Sequence, residues 1–205
     1  MHRQLLAALA FALSAGFANA ATMEECAQSA LNGGAASAVQ LCTQVINAGG
    51  SDRDLAQLYY LRGYASVDAK QLDAALADFN EAIRRDANFA SPYHERAYIE
   101  VEKSQFDAAI ADLTKAIELD PGNASHYRER GYSHASKGDC EASVADYSKS
   151  IEIDAAEADG YSGRAYCLEK LGRAQDALAD FKKAWDMGVK TPDIELRLKT
   201  AGLIP

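Results

Sequence analysis

The sequence lacks the local motifs that identify most enzymes and nucleotide-binding proteins. It contains no glycine-rich phosphate loop, no nucleophile elbow and no pair of carboxylates at a catalytic spacing. Its four cysteines have no CxxC spacing, and its histidines share no common position, which argues against a zinc site. We therefore predict a chain with no catalytic residues, no metal and no cofactor.

Basic residues are also scarce. The chain has 21 Lys and Arg residues against 30 Asp and Glu residues, and its formal net charge is −9. Such a charge repels nucleic acid phosphates unless basic side chains are concentrated in one patch, and the sequence has no such patch. Nucleic acid is therefore not an expected partner, whereas the acidic balance favours partners of basic character.

Only one long apolar run is present, and it lies at the N-terminus. Residues 1–20 begin with His2 and Arg3, continue with an uncharged apolar stretch and end in Ala-Asn-Ala, the pattern of a secretory signal peptide. A membrane anchor is the alternative, but the run is short and rich in alanine, and no second hydrophobic segment follows it. We predict a mature protein that starts at Ala21, has no membrane span and is periplasmic or secreted.

A tyrosine-containing segment recurs four times at a constant spacing. The segments read YYLRGY, YHERAY, YRERGY and YSGRAY, and they begin at Tyr59, Tyr93, Tyr127 and Tyr161, 34 residues apart. A constant period without insertion indicates one structural unit stacked on copies of itself. With repeats numbered from Ala56, the apolar residues of each second half fall at the three-and-four spacing of one helix face. Each repeat is therefore predicted to be an antiparallel helix pair.

The period and the pattern resemble the tetratricopeptide repeat. Small residues at position 20 and large ones at position 24 match that family's A-x3-F, and Pro121 keeps its terminal proline, although tyrosine replaces tryptophan at position 4 and arginine replaces leucine at position 7. The resemblance implies an all-α fold, a right-handed α-solenoid of antiparallel helix pairs. The repeats span residues 56–89, 90–123, 124–157 and 158–191.

The segments on either side of the repeats are predicted to complete the array. Residues 21–55 contain two short amphipathic stretches around a turn at Gly33 and Gly34, which indicates a degenerate helix hairpin. Residues 192–205 follow a Thr191-Pro192 helix start and carry apolar side chains toward one side. The last repeat of such an array exposes an apolar face, so we interpret this helix as its cap.

The four cysteines form two sensible pairs. Cys26 and Cys42 lie eight residues to either side of Gly34, which places them opposite each other in the hairpin, where an oxidising compartment would join them. Cys140 is at position 17 of the third repeat, and Cys167 is at position 10 of the fourth. Among the earlier repeats, the larger residue at position 17 goes with the smaller one at position 10 of the next repeat, which indicates a contact between the two positions. We predict that they too form a disulfide; two packed thiols are the alternative.

Two charged positions are the same in all four repeats, arginine at position 7 and aspartate at position 23. Both lie at the same distance from the turn expected near position 15, so they should meet between the two helices of a pair. A row of arginines that binds a carboxylate ligand is the alternative, but a bidentate pair permits partial burial of the arginine. We predict structural pairs of Arg62 with Asp78, Arg96 with Asp112, Arg130 with Asp146, and Arg164 with Asp180.

Tyrosine also recurs at position 9. The resemblance places this position, with positions 2, 5, 6, 12 and 13, on the concave surface of the solenoid, where tyrosine would give rigid amphipathic contact area. The alternative is that these rings pack against the next helix. The predicted partner-binding residues are Tyr60, Tyr64, His94, Tyr98, Arg128, Tyr132 and Tyr166.

These features predict a class of function. The chain is expected to be a non-enzymatic interaction module or scaffold that binds a protein or peptide in its concave groove. The alternatives are a self-associating structural component of an envelope assembly and, less favoured, a small-molecule binder or enzyme that uses the groove.

Overall fold

The computed structural model describes the backbone from Ala20 to Pro205 and the side chains from Met23 onward. Apart from Ala20, the predicted signal peptide lies outside the described residues. The described part of the chain contains eleven α-helices and no strand, which confirms the all-α class. None of these helices is both long and apolar enough to cross a membrane.

The helices follow one another as pairs joined by short turns. The N-terminal pair consists of α1 (Ala20–Leu31) and α2 (Ala35–Ala48). The predicted repeats contain α3 (Asp52–Asp68) with α4 (Leu72–Arg85), α5 (Ala90–Glu102) with α6 (Phe106–Leu119), α7 (Ala124–Lys137) with α8 (Cys140–Ile153), and α9 (Ala158–Lys170) with α10 (Ala174–Asp186). A single helix, α11 (Pro192–Thr200), follows the last pair.

Local sequence signals explain where these helices begin and end. Ser51 Oγ accepts a hydrogen bond from the backbone N–H of Asp54 at 3.2 Å, and α3 accordingly begins at Asp52, before the predicted repeat start at Ala56. Gly138 ends α7 with a φ of 87°, a left-handed conformation that glycine adopts without strain. Within each unit, the short turns leave the packed helices antiparallel, in the pairs α1–α2, α3–α4, α7–α8 and α9–α10.

The chain divides into two compact units, residues up to Ile99 and residues from Glu100 onward. In the N-terminal unit, α1 to α4 pack around a core that includes the fully buried Leu58 and Phe79. In the C-terminal unit, α11 packs on α10 and buries Ile194 and Leu198 beside Phe181. The last helix thus occupies the position predicted for a cap.

Small residues at repeat position 8 let the helices of a pair approach closely. A Cβ atom added at Gly63 would lie 2.7 Å from Cε1 of Phe79, and one added at Gly131 would lie 3.3 Å from the ring of Tyr147. Both distances are shorter than ordinary carbon contacts. The large ring at position 24 therefore fills the space that the glycine leaves.

The two cysteine pairs differ in the structure. Cys26 and Cys42 are joined across the α1–α2 hairpin, with their Cα atoms 5.1 Å apart. The predicted Cys140–Cys167 disulfide is not formed, because both residues are free, buried thiols; they interact electrostatically, and the thiol of Cys167 donates to Ser143 Oγ at 3.3 Å. Burial raises the pKa of Cys140 to about 11, so this thiol is protonated at neutral pH and exchanges slowly. Position alone predicted the contact but not the oxidation state.

We expect one disulfide and two thiols per chain in protein made in an oxidising compartment. Alkylation in denaturant without reductant should label Cys140 and Cys167, and reductant should add Cys26 and Cys42, as read from peptide masses. Replacing Cys26 and Cys42 together by serine should lower the free energy of unfolding by about 3 kcal/mol, since the bond closes a loop across 16 residues. Labelling of all four cysteines without reductant would contradict the hairpin disulfide. Labelling of none would show that Cys140 and Cys167 form a disulfide as well.

Candidate functional site

In repeats 1, 3 and 4, a bidentate pair of hydrogen bonds joins the arginine at position 7 to the aspartate at position 23, while the pairing of Arg96 with Asp112 stays a prediction. Arg130 Nε and Nη2 donate to the two carboxylate oxygens of Asp146 at 2.8 and 2.7 Å. This hydrogen bonding raises the pKa of Arg130 above its ordinary value. The same geometry joins Arg62 to Asp78 at 2.9 and 2.6 Å, and Arg164 to Asp180 at 2.6 and 2.8 Å.

The same arginines also contact the preceding helix pair, a link that the sequence analysis did not identify. Arg130 Nη1 donates to Thr114 Oγ1 at 3.0 Å, and Arg164 Nη1 donates to Ser148 Oγ at 3.0 Å. In each case the acceptor lies at position 25 of the preceding repeat. The arginines nearer the N-terminus do the same: Arg96 donates to Asn80 at 2.6 Å, and Arg62 donates to Thr43 of α2 at 3.1 Å.

Each of these arginines lies against an aromatic ring as well. In every repeat the tyrosine at position 4 is one helical turn from the arginine, so the two side chains are neighbours on one helix face. The guanidinium carbon is 5.3 to 5.9 Å from the ring centroid, for Arg62 with Tyr59, Arg96 with Tyr93, Arg130 with Tyr127, and Arg164 with Tyr161. The arginines are thus held from several sides, which favours a structural role over ligand binding.

The predicted partner-binding residues differ widely in exposure. Tyr98 and Tyr132 are 45% and 52% exposed, the largest values among the described aromatic residues. Tyr60 and His94 are buried, at 3% and 5% exposure, which corrects their assignment to an accessible surface. For Tyr60 the cause is packing against the ring of Phe89, whose centroid lies 5.1 Å away. Tyr64, Arg128 and Tyr166 are partly buried.

The ring and hydroxyl of Tyr166 contact residues of α11. Its hydroxyl donates a hydrogen bond to Asp193, and the guanidinium of Arg197 lies over its ring at 5.5 Å from the centroid. The hydrogen bonds from Thr191 and Tyr166 hold the pKa of Asp193 below its usual value. The edge of the ring packs on Phe181, with the centroids 5.0 Å apart. The fourth position-9 tyrosine therefore fastens the terminal helix.

The exposed ring of Tyr132 lies among charged groups in the C-terminal unit. Arg128, one turn earlier on α7, forms an ion pair with Glu157 and lies 3.4 Å from Glu129. Tyr147 on α8 interacts electrostatically with Arg128, Tyr132 and Asp159, and burial raises its pKa well above the ordinary value. We call Arg128, Glu129, Tyr132, Glu157 and Asp159 together the Tyr132 surface.

A missing side chain makes room for Tyr147 beside this surface. A Cβ atom added at Gly163 would lie 2.3 Å from Cζ of Tyr147 and 2.6 Å from its hydroxyl oxygen. Gly163 occupies position 6, where the other repeats carry Leu61, Glu95 and Glu129. This contact could have been predicted from the sequence. Tyr147 is the only tyrosine at position 24, and the repeat that follows it has the only glycine at position 6, Gly163.

A shallow cleft of about 400 Å³ lies at the end of the C-terminal unit. It is lined by apolar side chains of α10 and α11, including Leu178 and Leu196, with Glu169 and Arg197 at its side. Leu196 is 66% exposed, and Leu203 beyond the helix is 44% exposed. Among the residues described, no group of three or more His, Cys, Asp or Glu side chains could hold a metal ion.

Comparisons with known proteins identify the repeats. A family model described as "Tetratricopeptide repeat" matches residues 56–89, and a model described as "TPR repeat" matches residues 97–138. No curated protein matches the chain significantly.

Solved structures share the architecture at low sequence identity. "Crystal structure of MamA" is 21% identical, with a TM-score of 0.71 over 79% of this chain and 93% of that one. "Crystal structure of MamA protein" is also 21% identical, with a TM-score of 0.70 over 90% of this chain and 95% of that one. "MamA RS-1 ArsTM double mutant" is 13% identical, with a TM-score of 0.71 over 90% and 93%. With four in-phase repeats and two family matches, the chain is one that contains tetratricopeptide repeats.

Proposed function

We propose that this chain is a non-enzymatic protein-interaction module that binds a peptide or protein segment on the side lined by the first helices of its repeats. Stacked helix pairs present extended surfaces of this kind, and tetratricopeptide repeats suit a scaffold role. The signal-like pattern of residues 1–20 supports a location in the periplasm or the secreted space.

The exposure of Tyr98 and Tyr132 carries the proposal. Both residues occupy position 9 of a first helix, one in each unit, and about half of each side chain is accessible. Tyrosine combines a large apolar ring with a hydroxyl, and it is enriched in the parts of interfaces that contribute most to binding. Recurrence at one structural position distinguishes these rings from scattered exposed apolar residues.

Site-specific photocrosslinking in the cells that produce the protein tests this proposal. A photoreactive phenylalanine analogue at position 132, or in a second variant at position 98, should form a covalent adduct with a partner protein that mass spectrometry identifies. The matched control carries the analogue at Ala145, an exposed position on α8, the second helix of the same repeat as Tyr132. Absence of adducts from both 98 and 132 would contradict the function, and equally strong adducts from 145 would contradict the assigned side.

Self-association is the second candidate function, because Leu196 and Leu203 remain exposed beside the terminal cleft. Apolar side chains at the end of a repeat array are suited to contact with another copy. The same experiment separates the two functions. An adduct of two copies of the chain from an analogue at Leu196 would favour self-association, and its absence there would remove this candidate.

A further inference from the structure

Seven of the fifteen aromatic rings in the described part of this chain lie against one of its own cations. Seven rings have an Arg or Lys cation within 5.9 Å of the centroid: Tyr59, Tyr93, Tyr127, Tyr161, Tyr166, Phe181 and Trp185. In the part of the chain that the structure describes, no such cation lies over Tyr98 or Tyr132, the two most exposed rings. The attraction between a cation and a ring face is therefore available to a partner at these two positions.

The end of the array shows how a position-9 tyrosine is covered. α11 continues the 34-residue register, so Asp193 and Arg197 occupy positions 2 and 6 of an incomplete fifth repeat. Position 2 supplies the carboxylate that accepts the hydroxyl hydrogen bond of Tyr166, and position 6 supplies the guanidinium over its ring. Arg197 is fixed in turn by Glu169, with Nη2 2.9 Å from the carboxylate.

Tyr132 has only half of this arrangement. The equivalents of Asp193 and Arg197 in the next repeat, 34 residues earlier, are Asp159 and Gly163. The aspartate is therefore present and exposed, whereas glycine at position 6 supplies no cation, and the ring of Tyr147 fills the space beside it.

The charge around Tyr132 favours a cation from outside. The Tyr132 surface carries three carboxylates, Glu129, Glu157 and Asp159, against one guanidinium. That guanidinium, Arg128, is drawn toward Glu157 and Glu129 and does not lie over the ring. The excess of negative charge agrees with the formal net charge of −9 for the whole chain.

We propose that the Tyr132 surface binds an arginine side chain of a partner protein, with the guanidinium over the ring of Tyr132 and Asp159 as its counter-ion. Arginine suits the site better than lysine, because its planar guanidinium stacks on rings and forms directed hydrogen bonds with carboxylates. This inference rests on the proposed interaction function and specifies the chemistry of the segment that the first-helix side recognises.

Titration of the purified protein with short synthetic peptides, followed by aromatic NMR, tests the inference. The probes are a glycine-serine peptide with one central arginine, the same peptide with citrulline, a neutral isostere, and the same peptide with glutamate. The arginine peptide should shift the Tyr132 ring resonances in a salt-sensitive manner, and the other two should not. Tyr132→Leu should weaken the arginine peptide about five-fold, whereas Tyr132→Phe, which keeps the ring, should retain its affinity within about two-fold.

Each result decides the inference independently of the crosslinking result. Equal binding of the arginine and citrulline peptides would overturn the cation contact and leave the interaction surface standing. Preference for the glutamate peptide, or no shift of Tyr132 with any of the three, would overturn it as well. Absence of crosslinked partners from positions 98 and 132 would overturn the proposed function itself, whatever the peptides do. Unchanged spectra of the remaining tyrosines in both variants show that the fold is intact.

Discussion

Replacing Arg130 by methionine should lower the free energy of unfolding by about 3 kcal/mol. The side chain of Asp146 is only 9% exposed, and the change removes both charged hydrogen bonds that satisfy it. His134 does not compensate, because its Nε2 lies 3.9 Å from the carboxylate, beyond hydrogen-bond distance. Urea unfolding followed by circular dichroism measures the loss as a shift of the midpoint at unchanged slope.

Two further variants make this prediction specific. Lys149→Met removes the exposed ion pair with Glu152 on α8 and should change stability by less than about 0.5 kcal/mol. Combining Arg130→Met with Asp146→Leu should recover more than half of the loss, since the buried charge is then removed together with its partner. A loss as small as that of Lys149→Met would show that the arginine–aspartate pair does not stabilise the fold.

Replacing Gly163 by alanine should destabilise the protein by about 2 kcal/mol, because the new methyl group overlaps the ring of Tyr147. The direction is informative, since alanine in place of glycine within a helix ordinarily stabilises by about 1 kcal/mol. The buried ring cannot move away without displacing its neighbours. Thermal unfolding of the two proteins measures the difference.

A second change in the same contact should reverse the effect. Repeat 2 combines leucine at position 24, Leu113, with the full-sized Glu129 at position 6 of the next repeat. Tyr147→Leu combined with Gly163→Ala copies that combination and should be more stable than Gly163→Ala alone. Ser162→Ala, on the same turn of α9, is the matched control and should change little. If Gly163→Ala raised the melting temperature, the close contact with Tyr147 would be refuted.

The fold could be predicted because chemically similar residues recur at the same position of every repeat. The tyrosines at positions 4 and 9 and the arginine–aspartate pattern recur every 34 residues, so the helix pairs and the contact between Arg130 and Asp146 follow from position alone. The capping residue Ser51 also indicates that α3 begins at Asp52, four residues before the repeat start at Ala56 that the 34-residue period gives.

Other features could not be predicted, either because the residues involved differ between repeats or because the feature depends on more than the position in the repeat. The acceptors at position 25 are an amide in Asn80 and hydroxyls in Thr114 and Ser148, which share a function but no side chain. The burial of His94 depends on how neighbouring helices pack, which helical periodicity does not give. Cys140 and Cys167 were placed together correctly, but adjacency alone does not form a bond.

The arginine contacts with the preceding pair constrain how such a protein can lengthen in evolution. If an inner repeat is duplicated, its position-7 arginine can donate to the position-25 residue of the repeat before it. Its own position-25 residue can accept from the arginine of the repeat after it. At the C-terminal end, position 25 is Lys182, a cation bonded to Asp186, and position 7 of α11 is the buried Leu198. An arginine-bearing repeat added after Lys182 would meet a like charge where it needs an acceptor. Duplication of an inner repeat therefore preserves these contacts, whereas a repeat inserted directly after α10 would lack a position-25 acceptor for its arginine.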